Sequence, residues 1–212
     1  MSRRPATPPV HLVGAGPGDP ELLTVKGKRL LEGADAVLYD ALVHPRLLEH
    51  APAGAERCYV GKRAGDHALT QPEIDAWLVD RARRGLRVVR LKGGDPLIFA
   101  RGGEEMAALR RAGVAYAIVP GVTSATAAAA AAGVPLTHRG LAAGVRLLAG
   151  PALLAAPPPP CGETLAIFMG LEMIEAIVRA LLAQGWPRGI AAAAVERASL
   201  PEERVIAAPL WR

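Results

Sequence analysis

Aromatic residues are scarce in this sequence: phenylalanine, tryptophan and tyrosine make up 4% of its 212 residues. Hydrophobic residues still reach 51%, so alanine, valine and leucine predict a core of small side chains, as where helices pack closely on a sheet. No apolar run approaches the roughly 18–20 residues that cross a bilayer. The N-terminal arginines Arg3 and Arg4 precede no apolar stretch of signal-peptide length. We therefore expect a cytoplasmic protein without a membrane partner.

Cysteine is equally sparse, and its two positions, Cys58 and Cys161, form no Cys-x-x-Cys pair. This usage argues against a structural disulfide or a zinc site and fits a reducing compartment. No two of the five histidines have the spacing of metal ligands, so we expect no metal. The sequence also lacks a Gly-x-Ser-x-Gly motif, and neither cysteine is placed with a histidine, so covalent hydrolysis has no support.

The formal net charge is +5, and arginines cluster over residues 81–90. This cluster is either a solvated helix face or a surface that attracts an anionic partner. No aromatic residues are interleaved with the arginines, and no zinc-finger or RNA-binding motif is present. We therefore expect no nucleic-acid partner, and a small polyanion is at least as good a candidate.

Strand-like and helix-like patterns alternate along the first half of the chain. Apolar runs predict strands at residues 10–14, 36–39, 57–60, 87–91 and 115–119, and the intervening patterns predict helices at 22–34, 71–84 and 103–112. The segment Thr70-Gln-Pro-Glu73 is typical of a capping box with proline in the first helical turn. This alternation predicts an α/β fold with a parallel sheet and helices on both faces.

The character of the sequence changes after Pro120. Predicted helices at residues 124–132 and 174–182 are combined with strands at 145–148, 164–169, 191–195 and 204–208. The four prolines at 157–160 must be extended. We therefore expect a flexible tail over residues 1–9, an N-terminal α/β domain over 10–120 and a C-terminal α/β domain over 121–212.

Two glycine-rich loops follow predicted strands. The loop at residues 14–20 reads Gly-x-Gly-x-Gly and misses the dinucleotide fingerprint, and Pro17 removes a backbone N–H that a phosphate cradle needs. A nicotinamide or ATP site is therefore disfavoured. Residues 90–105, RLKGGDPLIFARGGEE, hold Gly93, Gly94 and Asp95 just after a strand, where ligands of open α/β sheets bind. This segment is the predicted ligand-binding centre.

Two charged residues end neighbouring predicted strands on the same edge of the sheet. Asp40 follows the second strand, and Lys62 follows the third. A carboxylate and an ammonium placed there could act as base and acid, or could equally form a surface ion pair. Thr123 and Ser124 begin a helix, whose N-terminal N–H groups could also meet a carboxylate.

The longest motifs together resemble the tetrapyrrole methylases over nearly the whole chain. These motifs are LVGAGPGDPELLTVKG, YDALV, GKRAGDH, VVRLKGGDPLIFARGGEE, VPGVTSATAAAAAAGVPLTHR and FMG. The resemblance implies a two-domain fold, with a mainly parallel N-terminal sheet flanked by helices and a smaller, shortened mixed-sheet C-terminal domain. It also implies a homodimer and S-adenosylmethionine in the cleft between the domains. The implied cofactor-binding residues are Pro17, Gly93, Gly94, Asp95, Ile98, Thr123, Ser124, Met169 and Ala198.

The activity that the resemblance implies is C-methylation of uroporphyrinogen III to precorrin-2 by way of precorrin-1, with S-adenosylhomocysteine as product, in sirohaem or cobalamin synthesis. Asp40 matches the family's proton acceptor and Lys62 its proton donor. The alternatives are another precorrin methyltransferase of the cobalamin pathway or a non-catalytic member that binds tetrapyrrole or cofactor. The sequence departs from the family pattern at Ala100 (usually glycine), Ala149-Gly150-Pro151 (usually Thr-Gly-His) and Phe168 (usually tyrosine).

Overall fold

The structure, a computed structural model, describes residues 7–61 and 69–211. The described residues divide into two compact units, one ending at Thr123 and the other beginning at Ser124. Among the described residues, the helices are all too short or too polar to cross a membrane.

The first unit alternates strands and helices. Its strands are β1 (Val10–Gly14), β2 (Ala36–Tyr39), β3 (Glu56–Tyr59), β4 (Val88–Lys92) and β5 (Tyr116–Val119). Its α-helices are α1 (Val25–Glu32), α2 (Gln71–Arg83) and α3 (Gly102–Arg111), with 3-10 turns at Pro20–Leu22 and Pro45–His50.

The five strands of the first unit pair in the order β3-β2-β4-β1-β5, and every pairing is parallel. In register, Arg90 of β4 lies between Leu12 of β1 and Leu38 of β2. Because all strands run the same way, the loops that follow them meet at one edge, which we call the carboxyl edge. That edge is where ligands of such sheets bind.

Alternate residues of the strands pack on opposite faces of the sheet. On one face, Leu12, Leu38 and Val88 pack with Leu78 of α2 and Leu109 of α3. On the other face, Val13, Val37, Val89 and Leu91 pack with Leu31 of α1 and Leu47 of the second 3-10 turn. The prediction of a parallel sheet with helices on both faces is confirmed.

Local capping fixes the helix starts. The Thr24 hydroxyl accepts a hydrogen bond from the Gly27 N–H at 3.0 Å, so α1 begins at Val25. The predicted start at residue 22 was too early, because Pro20 opens a separate 3-10 turn. The capping box of Thr70 and Glu73 is present at the start of α2, where the Glu73 carboxylate accepts from the Thr70 backbone N–H at 2.7 Å.

The second unit contains two strand pairs. The elements are α4 (Ser124–Ala132), β6 (Gly144–Ala149), α5 (Gly150–Ala155), β7 (Glu163–Phe168), α6 (Ile174–Ala183), β8 (Ala191–Glu196) and β9 (Arg204–Pro209). Strands β6 and β7 are parallel, whereas β8 and β9 are antiparallel. Both strand directions therefore occur in this unit, and the predicted fold class is confirmed.

The core of the second unit is small. It is formed by Leu153 of α5, Ile177 and Leu181 of α6, and Trp186. The Trp186 indole N–H donates to the Pro158 carbonyl at 2.7 Å, which anchors the proline run to the end of α6. The α5 helix was not predicted from sequence; it begins at Gly150, with Pro151 in its first turn.

Candidate functional site

Three glycines bring the loops after β1, β4 and β5 into backbone contact at the carboxyl edge. A Cβ on Gly14 would lie 2.5 Å from the Gly121 Cα and 2.7 Å from the Gly94 carbonyl oxygen. A Cβ on Gly121 would lie 2.2 Å from that same oxygen. Gly94 also exchanges backbone hydrogen bonds with Gly16, at 2.7 and 3.3 Å. Only residues without side chains allow this approach.

Asp95 ties two of these loops together. One carboxylate oxygen accepts from the Leu97 N–H at 2.8 Å, and the other accepts from the Gly121 N–H at 3.0 Å. The side chain that sequence reasoning assigned to ligand binding therefore also holds the β4 and β5 loops in place. A carboxylate that accepts two backbone hydrogen bonds is fixed in orientation.

The loop after β4 combines tight packing with open, apolar surface. A Cβ on Gly93 would meet the Leu42 Cβ at 2.4 Å, whereas the corresponding direction at Gly94 faces open space. Leu42, Leu97 and Phe99 are all largely exposed. Phe99 also has a φ of 49°, a left-handed conformation that non-glycine residues seldom adopt and that is common at functional sites. This surface suits a ligand with flat apolar rings.

Asp40 lies where β2 ends, on the same edge. Its carboxylate accepts from the Leu42 N–H at 3.1 Å through one oxygen. The other oxygen lies 3.4 Å from an Arg90 guanidinium nitrogen, and the side chain keeps 26% of its exposure. Asp40 is thus oriented from two sides and still meets solvent. Lys62, its predicted acid partner, lies outside the described residues.

Buried charges lie directly beneath Asp40. Glu105, in the first turn of α3, accepts through one oxygen from Arg90 at 2.9 Å and from Lys92 at 2.8 Å. Burial lowers the pKa of the Lys92 ammonium, and the Arg90 charge lowers it further, although Glu105 opposes both effects. Sequence reasoning missed this cluster. The sequence feature that could have indicated it is the alternation in β4, which places Val88, Arg90 and Lys92 on one face of the strand.

The other predicted cofactor residues are divided between the two units. In the first unit, Pro17 follows β1 and Ile98 follows β4, and both are partly buried. Thr123 directly precedes α4, whose first residue is the exposed Ser124. In the second unit, Met169 follows β7 with a φ of 53° and is largely exposed. Ala198 lies in the turn between β8 and β9.

The arginine cluster at residues 81–90 is engaged within the first unit. Arg81 pairs with Glu56 at 2.6 Å, and Arg87 pairs with Asp35 at 2.7 Å. Of the remaining members, Arg84 pairs with Asp80, Arg83 donates to the Ala112 carbonyl, and Arg90 belongs to the buried cluster. The positive charges in this stretch thus bind neighbouring parts of the chain, which argues against a surface for an anionic partner. The solvated helix face describes only part of the cluster, since Arg90 lies buried on β4.

A family model described as tetrapyrrole (corrin/porphyrin) methylases matches residues 9–211. Among curated relatives, a siroheme synthase 2 of Halorhodospira halophila is 48% identical over 216 residues, which cover 99% of this chain and 44% of that protein. An S-adenosyl-L-methionine-dependent uroporphyrinogen III methyltransferase of Arabidopsis thaliana, chloroplastic, is 46% identical over 209 residues, 95% of this chain and 57% of that protein. The chain thus spans about half the length of these relatives.

Solved structures share the fold. A uroporphyrin-III C-methyl transferase from Thermus thermophilus, complexed with S-adenyl homocysteine, has a TM-score of 0.81 and 46% identity, covering 95% of this chain and 83% of that one. A cobalt precorrin-4 methyltransferase has a TM-score of 0.83 and 34% identity, covering 99% of this chain and 89% of that one.

Proposed function

We propose that this chain, which belongs to the tetrapyrrole (corrin/porphyrin) methylase family, C-methylates uroporphyrinogen III to precorrin-2 with S-adenosylmethionine as methyl donor. The observation that carries the proposal is the meeting of the Gly14, Gly94 and Gly121 loops beside Asp40 at the carboxyl edge. Its support is the likeness to a uroporphyrinogen III methyltransferase of similar sequence and to a structure complexed with S-adenyl homocysteine.

The residues at the carboxyl edge fit this donor. The open side of Gly94 and the exposed Leu97 and Phe99 offer backbone groups and apolar surface to an adenosine. When bound, S-adenosylmethionine supplies a sulfonium-activated methyl group to an electron-rich pyrrole carbon. The residues that would hold it are Pro17, Gly93, Gly94, Asp95, Ile98, Thr123, Ser124, Met169 and Ala198. These residues act by placing the methyl donor. Methyl transfer depends on close, in-line placement of the donor and the ring carbon more than on an activated side chain.

Asp40 is the proton acceptor in this proposal. Its carboxylate is held by the Leu42 N–H and by Arg90 and remains accessible from solvent. The pyrrole carbon that gains the methyl group has no hydrogen, so a fixed, accessible carboxylate can instead remove a proton from the ring nitrogen or from a neighbouring bridging carbon of the methylated, positively charged substrate. Lys62 is the proposed donor of a proton to the substrate.

The decisive test is to incubate the purified chain with uroporphyrinogen III and S-adenosylmethionine without oxygen, and to follow product mass. We expect two methyl groups per substrate, with S-adenosylhomocysteine formed in equal number. The variant Asp40→Asn should bind S-adenosylhomocysteine as the parent does and lose about 100-fold in turnover. Binding of S-adenosylhomocysteine without methyl transfer would contradict the proposed activity and support a binding role.

A second candidate is methylation of a later corrin precursor, which the likeness to a cobalt precorrin-4 methyltransferase favours. This candidate predicts transfer of one methyl group to a precorrin and none to uroporphyrinogen III. Offering both substrates to the same preparation separates the two activities by product mass.

We further propose that the chain forms a homodimer in the cytoplasm. Exposed apolar residues of β9 and the segment after it, Val205, Ile206 and Trp211, are suited to a subunit contact. Neither Cys58 nor Cys161 forms a disulfide within the described residues, and the cysteine usage of the sequence fits a reducing compartment. Light scattering on the purified chain would give the mass of a dimer, and a monomer at every concentration would contradict this assembly.

A further inference from the structure

Four charged side chains of the first unit form one connected network. Glu105 holds Arg90 at 2.9 Å and Lys92 at 2.8 Å through a single oxygen, and Arg90 reaches the Asp40 carboxylate at 3.4 Å. The network contains two cations and two anions, so its formal charges cancel. It begins in the buried face of β4 and ends at the carboxyl edge.

Burying these charged groups lowers the free energy of unfolding, because they lose contact with water. The side chains of Arg90, Lys92 and Glu105 keep only 5%, 2% and 1% of their exposure. The other Glu105 oxygen has no hydrogen-bond partner, and a buried acceptor without a partner destabilises the folded state. Since apolar residues of similar volume often stabilise a core at least as well as buried ions, stability alone does not explain these residues.

The geometry points instead to Asp40. Arg90 is held by Glu105 through its Nε atom and donates to the Leu91 carbonyl through Nη1 at 2.9 Å. With both ends of the guanidinium fixed, its charge stands at one place beside Asp40. The Leu42 N–H fixes the opposite carboxylate oxygen at 3.1 Å. The rotamer of Asp40 is therefore determined from beneath by Arg90 and from its own loop by Leu42.

We propose that Arg90, held by Glu105, is a positioning residue that orients the Asp40 carboxylate, and that Lys92 neutralises Glu105 so that the charge of Arg90 remains available to Asp40. The catalytic part of this inference rests on the proposed function, in which Asp40 accepts the proton. Lysine cannot replace Arg90 here, because a single ammonium lacks the planar fork that reaches two acceptors at fixed positions.

The first experiment needs no substrate. The Leu42 amide reports on Asp40 because it donates to that carboxylate, and its hydrogen exchange can be followed by NMR in the ¹⁵N-labelled full chain. The variant Asp40→Ala serves as the reference, because it gives the rate at which the Leu42 amide exchanges when its acceptor is absent. We expect Arg90→Lys and Glu105→Gln to accelerate Leu42 exchange several-fold towards that rate. Exchange unchanged from the parent in folded Arg90→Lys would overturn the proposal.

The second experiment is a double-mutant cycle on methyl transfer. Asp40→Ala should lower kcat about 100-fold, and Arg90→Lys about tenfold through misplacement of the carboxylate, with KM nearly constant. If Arg90 acts through Asp40, the double variant is no slower than Asp40→Ala. Multiplied losses would mean that Arg90 acts separately and would overturn the proposal. A parent chain without turnover would contradict the proposed function, whereas Leu42 exchange would still decide whether Arg90 holds Asp40.

A matched control exists in Arg81, which forms two hydrogen bonds to Glu56 at 2.6 and 3.2 Å. Glu56 begins β3, at the opposite end of the strand from the carboxyl edge. Arg81→Lys breaks a similar paired geometry and should leave both Leu42 exchange and turnover unchanged. Thermal melting of each variant verifies that it is folded, and Arg90→Lys, which keeps the charge, remains informative if Glu105→Gln fails to fold.

Discussion

The closeness of the loops at the carboxyl edge depends on residues that have no side chain. Gly14 and Gly121 lie so near each other that a methyl group on either would enter the backbone of the other. Neither has a positive φ. Their requirement is therefore space rather than backbone conformation, and it comes from the neighbouring positions of β1 and β5 in the sheet.

We predict that Gly14→Ala separates the β1 and β5 loops. The added Cβ would lie 2.5 Å from the Gly121 Cα, so backbone must move, and overpacking of this kind lowers the free energy of unfolding by about 1–3 kcal/mol. The same movement should weaken the binding of S-adenosylhomocysteine. Urea unfolding and calorimetric titration measure the two effects.

Gly54→Ala is the control for this substitution, because its Cβ would meet nothing within 4 Å. Its stability should change by less than about 0.5 kcal/mol. Equal effects of the two substitutions would show that the close approach at Gly14 is not what makes that glycine necessary.

Single residues of the site were only partly predictable. Gly93, Gly94 and Asp95 were identifiable because glycines and a carboxylate crowd the end of one apolar run. The partner of Asp95, the Gly121 N–H, was not, since it requires knowing that β4 and β5 both neighbour β1. For the same reason the sequence left Glu105 as an ordinary acidic residue of a first helical turn.

At the scale of elements, an ion pair also joins two neighbouring parallel strands at the edge of the sheet opposite the site. Asp35, just before β2, accepts from the Arg87 backbone N–H at 2.8 Å and from its guanidinium at 2.7 and 2.9 Å. Arg87 precedes β4, so this pair joins the starts of two neighbouring strands. These hydrogen bonds lower the pKa of Asp35 from 3.8 to about 2.

We predict that the Asp35 contribution to stability depends on pH. Because its pKa is lower in the folded chain than in the unfolded chain, its stabilisation is complete above about pH 4 and is lost as pH falls towards 2. The difference in free energy of unfolding between the parent and Asp35→Asn should therefore be greatest near neutral pH and shrink on acidification. Urea unfolding over a pH series measures it.

The comparison for Asp35 is Glu32→Gln, which removes an exposed pair with Lys28 at 3.9 Å. Such surface pairs contribute little, so this variant should resemble the parent near neutral pH. A stability difference for Asp35→Asn that stays constant on acidification would refute the role of its ionised form.

The positions of helices and strands along the chain were more predictable from sequence than which strands lie next to each other in the sheet. Apolar runs and caps located β1, β2 and α4 with the bounds that the structure has. The α5 helix was not predicted because its six residues show no long apolar period, although Pro151 is tolerated in a first helical turn. Strand order is set by contacts distant in sequence, and no local pattern carries that information.

At the scale of the whole molecule, apolar burial is unevenly divided. The first unit buries residues on both faces of its sheet, whereas the second relies on Leu153, Ile177, Leu181 and Trp186. Small cores seldom stabilise a domain alone. The two units should therefore differ in their ability to fold in isolation.

We predict that a fragment of residues 1–123 unfolds cooperatively in urea and that a fragment of residues 124–212 is largely unfolded before urea is added. The reason is the two-sided core of the first unit. Trp77 reports on the first fragment, and the buried Trp186 together with the exposed Trp211 reports on the second. Intrinsic fluorescence therefore measures both fragments, with circular dichroism as a second probe. A stable second fragment would show that its small core suffices.

The position of β1 inside the sheet has a consequence for synthesis. The ribosome makes Val10–Gly14 before its two neighbours in the sheet, Val88–Lys92 and Tyr116–Val119. Until these emerge, the nascent chain carries an apolar strand with both edges unpaired, a state that invites association with other chains. Closure of this sheet must therefore wait until β5 has been made, and β1 needs shielding from other chains, for example by chaperones, during that interval.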